Sequence, residues 1–121
     1  MLKNTYPTIA KRLVNLDASY NPYNKAIFQS SARLLMREIV REFKIGAYSL
    51  RTNKGGLAVS GEVTLHTNTI YIQASQKLFQ KGIQLLVRQC EGQRDYCGKV
   101  NYYHEFDQGR DHLEELISRL I

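Results

Sequence analysis

The hydrophobic period of this 121-residue chain changes at Gly46, and that change constrains the fold more than any other feature. Before it, Phe28, Ala32, Leu35, Met36, Ile39 and Phe43 recur at intervals of three and four, one face of an α-helix. After it, Leu57, Val59, Val63 and Leu65 alternate with Ser60, Glu62, Thr64 and His66, the period of a strand buried on one side only. A chain patterned this way must lay helices on the apolar face of a sheet whose other face is polar.

The long helix is expected over 22–45. Asn21 is placed to cap it, Pro22 to take its first position, and Gly46 to close it in the left-handed conformation. Arg33, Arg37, Arg41 and Lys44 lie off its apolar stripe. A shorter helix over 6–16 carries Ile9, Leu13 and Leu16, with Pro7 in its first turn. The polar segment 19–24 is the turn between the two.

Strands follow. Tyr48-Ser49-Leu50 is a short one and 52–56 a turn. The alternating run 57–66 is interrupted by Gly61 on its apolar side. Thr67-Asn68 turns the chain into a return strand, with Ile70, Ile72 and Ala74 on one side and Tyr71, Gln73 and Ser75 on the other. A loop over 76–82 leads to a strand over 83–90, with Ile83, Leu85 and Val87 inward and Arg88 opposite. Residues 91–98 form a polar turn bounded by glycines, and 100–103 a last strand. A final helix, starting at Asp107, Gly109 or Asp111, turns Leu113, Leu116, Ile117 and Leu120 inward. The expected fold is α+β: an antiparallel sheet of about five strands, with a long N-terminal helix and a C-terminal helix packed on it. Residues 1–121 make a single domain, since a chain of this length supports one core.

Composition narrows the function. The formal charge is +6, which suits anionic partners. It is unevenly spread: residues 1–45 carry +5, 46–104 carry +4, and 105–121 carry −3. An anion site therefore belongs to the first two segments. No apolar stretch approaches the roughly 18 residues of a membrane span, and the N-terminus lacks the apolar segment of a signal peptide. Cys90 and Cys97 are accordingly read as reduced thiols of a cytoplasmic protein. Two cysteines and three scattered histidines show no zinc-ligand spacing, and no metal or cofactor is expected.

Two groups of residues carry binding chemistry. If the strands pair as hairpins, Ser60, Glu62, Thr64, Tyr71, Gln73 and Arg88 share the polar face of the sheet. Such a face can hydrogen-bond a polar ligand; a plain solvated surface and a subunit contact are its other readings. The run from Arg88 to Asn101 sets Arg88, Arg94 and Lys99 around two glycines and Tyr96. Arginine forks suit phosphate oxygens, a tyrosine face stacks on a base, and Asn101 can read a base edge or a ribose hydroxyl. The bland alternative is a hairpin loop in which Asp95 pairs with Arg94 or caps the turn. Lys54-Gly55-Gly56, with Arg51 nearby, lacks the strand-to-helix frame of a Walker loop and reads first as a turn.

Catalytic groupings are sparse. Glu62 and His66 share a strand face but stand about 13 Å apart by strand rise, too far for a dyad. Cys90 and His104 form a pairing that chance readily produces. The chain is expected not to be an enzyme.

Residues 51–66, RTNKGGLAVSGEVTLH, and the run 88–101, with its R-D-Y-x-G-x-x-N core, resemble small phage proteins of the Thoeris anti-defence sponge family, first type. The likeness covers residues 48–104. It implies a non-enzymatic homo-oligomer built on dimers. Such a protein sequesters cyclic ADP-ribose isomers, and in some members cyclic oligonucleotides, in the host cytoplasm. Cys97 stands where a small hydroxyl residue is expected, a departure within the loop. The ligand of such a sponge carries a pyrophosphate, riboses and adenine. Arg88, Arg94, Tyr96 and Asn101 are the contacts chosen on chemistry, with Arg51, Glu62 and Tyr71 from the sheet face. A helix of a neighbouring subunit is expected to supply a second wall through Arg33, Arg37 or Arg41. The alternative reading is a small basic module that binds nucleic acid, although neither an RNP-like pattern nor a helix-turn-helix signature is present.

Overall fold

The computed structural model describes residues 2–19, 21–55, 61–96 and 99–121. Three helices, α1 (Leu2–Leu13), α2 (Pro22–Glu42) and α3 (Arg110–Leu120), enclose a core with one face of a five-stranded antiparallel sheet. The strands are β1 (Tyr48–Asn53), β2 (Glu62–Thr67), β3 (Ile70–Gln76), β4 (Ile83–Gln89) and β5 (Tyr102–Glu105), paired in sequence order as a meander. A short 3-10 turn, Phe106–Gln108, joins β5 to α3. The expected α+β fold is what the chain adopts. No helix among the described residues is long and apolar enough to cross a membrane.

The core follows from the two periods. Phe28, Ala32, Leu35, Met36 and Ile39 of α2 lie completely buried against Leu65, Ile72 and Val87 of the sheet and their neighbours Val63, Ala74 and Leu85. Each large apolar side chain removed from water in this way contributes roughly 1.5–3 kcal/mol. Leu113, Leu116, Ile117 and Leu120 of α3 turn inward as their spacing requires.

The entry to α2 is the one anticipated. Asn21 Oδ1 accepts from Asn24 N at 3.1 Å, and Pro22 occupies the first position. Its exit differs. The helix ends at Glu42, and the left-handed residue is Lys44, with φ of 52°, rather than Gly46. Ile45 N donates to Val40 O at 2.9 Å and Lys44 N to Arg41 O at 3.3 Å, the two bonds of a Schellman motif. Ile45 packs against the core, and that contact brings the turn forward by two residues.

Other boundaries shift for similar reasons. Leu2 and Tyr6 are buried with Ile9 and Leu13, so α1 starts a turn early and Pro7 falls inside it. Leu16 lies past its end, where its carbonyl accepts from Gly82 N at 2.8 Å. The two-residue turn between β2 and β3 is Asn68-Thr69, with Thr67 Oγ1 accepting from both Thr69 N and Ile70 N. The last strand is 102–105 rather than 100–103, because His104 must face the core opposite Leu85 while Val100 stays in water. The expected strand segment 57–60 lies outside the described residues.

Candidate functional site

Strand parity assembles the site. Ser49 pairs with His66, His66 with Tyr71, and Tyr71 with Arg88, one row across β1 to β4. Arg51, Thr64 and Gln73 make the next row, and Asn53, Glu62 and Ser75 the third. Paired residues point to the same face, so all these side chains stand on the face opposite the helices.

The segment after β4 then folds back over this face. Cys90 N donates to Thr69 O at 2.9 Å, and Glu91 N donates to Asp95 Oδ2 at 2.8 Å, so Asp95 caps the turn. Ser49 Oγ donates to Gln93 Oε1 at 2.9 Å, and Gln93 Nε2 to Asn68 Oδ1 at 3.2 Å. Arg88 Nη2 donates to the Tyr96 carbonyl at 3.3 Å. Sheet and loop together border a half-open cavity of about 490 Å³, lined by Ser49, Arg51, Thr52, Asn53, Glu62, Thr64, His66, Tyr71, Gln93 and Tyr96. That volume lies within the range of small-molecule sites.

Three rings meet in this cavity, His66 and Tyr71 from the sheet and Tyr96 from the loop. His66 is only 4% exposed, and the Tyr71 and Tyr96 rings stand edge to face with it at centroid distances of 5.0 and 5.1 Å. Burial lowers the His66 pKa; the Gly92 carbonyl and Asp95 act the other way, and Arg88 with the burial. The imidazole is therefore neutral at pH 7. Burial, helped by Glu62, raises the Tyr71 pKa, and its hydroxyl donates to Gln73 Oε1 at 2.9 Å. The Arg88 guanidinium lies 4.5 Å from the centre of the Tyr71 ring.

Four of the nine residues singled out from the sequence line this cavity: Arg51, Glu62, Tyr71 and Tyr96. Arg88 stands beside it on the same face, tying Tyr71 to the Tyr96 main chain. Arg94 and Asn101 are exposed and do not line it. Arg33 reaches the wall from behind and within the same chain: its Nη1 donates to Oγ1 of Thr52, a lining residue, at 2.8 Å. Arg37 is exposed on α2. The lining residues not singled out for binding are Ser49, Thr52, Asn53, His66 and Gln93, with Thr64 placed on the polar face only. Ser49, Arg51 and Asn53 alternate along β1, a signal hidden because the expected strand stopped at Leu50.

The thiol of Cys90 donates to Thr67 O at 3.3 Å, and burial raises its pKa, so it stays protonated. His104 is engaged elsewhere, between Tyr6 and His112, so the two do not pair. Among the described residues no group of three or more His, Cys, Asp or Glu side chains is placed to hold a metal ion.

Fold and site together define an α+β domain with a polar, aromatic-lined cavity on the open face of its sheet. Compared with protein-family models, with curated proteins and with solved structures, the chain matches none of them.

Proposed function

We propose that this chain captures a small phosphorylated nucleotide of the cyclic ADP-ribose class and holds it intact. The observation that carries this reading is the company kept in the cavity: a free-standing arginine fork, two tyrosine rings, and a rim of hydroxyl and amide groups. Arg51 suits phosphate oxygens, the tyrosines suit a base, and Ser49, Asn53, Thr64 and Gln93 suit ribose hydroxyls. Glu62 and His66, the lining residues suited to moving protons, stand four residues apart on one strand, which favours holding over chemistry.

The cavity is open along the sheet, and tight capture calls for a further wall. A second copy of the chain supplies it in this reading, as the family resemblance implies. Cyclic oligonucleotides present the same phosphate, ribose and base groups and form a second ligand class. The place of action is the bacterial cytoplasm, where such signals are made. The negation of host signalling follows from sequestration alone.

The test is to mix the protein with cyclic ADP-ribose isomers, remove free ligand by filtration, heat the retained protein, and identify what is released by mass spectrometry. Intact ligand supports the reading. A cleaved product makes the protein an enzyme. Tight, steeply salt-dependent binding of long DNA or RNA without nucleotide retention makes it a nucleic-acid module.

A further inference from the structure

One polar atom of the cavity floor is left without a partner. His66 is almost wholly buried, yet its Nε2 is shielded from water and makes no hydrogen bond. An imidazole nitrogen in that state costs the fold the hydration it has lost and recovers nothing. Two rings pack on this imidazole. The Tyr71 and Tyr96 rings both stand edge to face against the imidazole, at interplanar angles of 78° and 77°.

The two rings are not equally fixed. Tyr71 is 8% exposed, hydrogen-bonded to Gln73 and covered by Arg88. Tyr96 is 57% exposed and tied down through its main-chain carbonyl, not its ring. Of the two rings packed on His66, that of Tyr96 is therefore the freer to swing aside.

We propose that His66 is the specificity-determining residue of this cavity, and that its Nε2 takes a hydrogen bond from, or gives one to, a sugar hydroxyl of the ligand once the Tyr96 ring has moved. A hydroxyl both donates and accepts, so it answers either tautomer of a neutral imidazole. Charge goes elsewhere. Arg51 sits diagonally across the β1–β2 pair from His66, a separation of roughly 7–8 Å between such positions. That places an anionic group at Arg51 and a neutral, hydroxyl-bearing group at His66, the order in which a sugar phosphate presents them. The inference rests on the nucleotide reading for its ligand class, though a simpler sugar phosphate satisfies it too.

Nitrogen-15 NMR of the three histidine side chains tests this, with cyclic ADP-ribose and ribose 5-phosphate as separate probes. The expected result is that a probe shifts the His66 Nε2 resonance and leaves His104 and His112 unmoved. His66→Phe should weaken binding of that probe about tenfold, while His66→Gln, which keeps a hydrogen-bonding group, should weaken it less. Tyr96→Ala should admit water to Nε2 in the free protein and bring the His66 titration back toward that of an ordinary histidine. Response to ribose 5-phosphate alone keeps the role of His66 and overturns the nucleotide reading. Binding of cyclic ADP-ribose with no His66 response, and with His66→Phe as tight as the parent, overturns the role of His66 and leaves the nucleotide reading standing. No response to either probe overturns both.

Discussion

The guanidinium of Arg88 lies over the ring of Tyr71, 4.5 Å from its centre, while its Nη2 holds the Tyr96 carbonyl at 3.3 Å. One side chain thus fixes the floor of the cavity and the loop that roofs it. Arg88→Met keeps an apolar stem and removes the fork. It should cost about 1–3 kcal/mol, read as a lower urea midpoint, and should weaken nucleotide retention as Tyr96 loses its anchor. A parent-like midpoint and retention would show that the clamp is idle.

Arg51 is exposed at the cavity rim and has no part in the core. Arg51→Gln should leave the urea midpoint within about 0.5 kcal/mol of the parent and reduce retention of a phosphorylated ligand by about tenfold or more. Filtration followed by mass spectrometry reads the second quantity and urea unfolding the first.

Gly61 stands at the entry to β2 with φ of 77°, and a Cβ there would collide with the Asn53 carbonyl oxygen. Asn53 is the last residue of β1 and lines the cavity. Gly61→Ala should therefore destabilise the fold by about 2 kcal/mol or more and push the end of β1 outward, impairing binding as well. Gly46→Ala, where a Cβ meets nothing within 4 Å, is the matched control and should be near neutral. Equal thermal midpoints for the two variants would contradict this.

A second histidine system lies on the helical side of the sheet. His104 is fully buried; its Nε2 is 2.7 Å from Tyr6 Oη and its Nδ1 2.8 Å from His112 Nδ1. Tyr6 Oη donates its one proton to Phe106 O at 3.1 Å, so it accepts from His104 Nε2–H, and His104 Nδ1 accepts from His112. Burial first, and the His112 charge second, lower the His104 pKa to about 4. Between pH 6.5 and 4 the unfolded chain binds a proton that the folded chain refuses. Stability is therefore intact above about pH 6.5 and falls by roughly 3 kcal/mol on the way down to pH 4. Urea midpoints measured across this range should show that decline, and His104→Gln, less stable at pH 7, should show a flatter one. The same slope in both would remove His104 as its cause.

Much of the fold was legible in the sequence, because it depends on side-chain periodicity. The stripe from Phe28 to Ile39, the alternation around Val63 and Leu65, and the inward set from Leu113 to Leu120 each fix which face of an element meets the core. Boundaries were less legible. The end of α2 depends on Ile45 finding the core, and the start of β5 on His104 lying opposite Leu85, and neither is a local property.

The sequence by itself determined that this chain buries helices against one face of an antiparallel sheet whose other face is polar, because its apolar residues recur with period 3.6 in the helices and 2 in the strands. It also pointed to Arg51, Glu62, Tyr71 and Tyr96, which do meet. Only the tertiary structure decided that Arg88 braces the cavity from its side, that Arg33 approaches it within its own chain, and that His66 forms its floor. Those roles depend on strand register and on where a loop lands, and both are set by pairings between residues far apart in the chain. Ser49 beside Gln93, 44 positions later, is such a pairing.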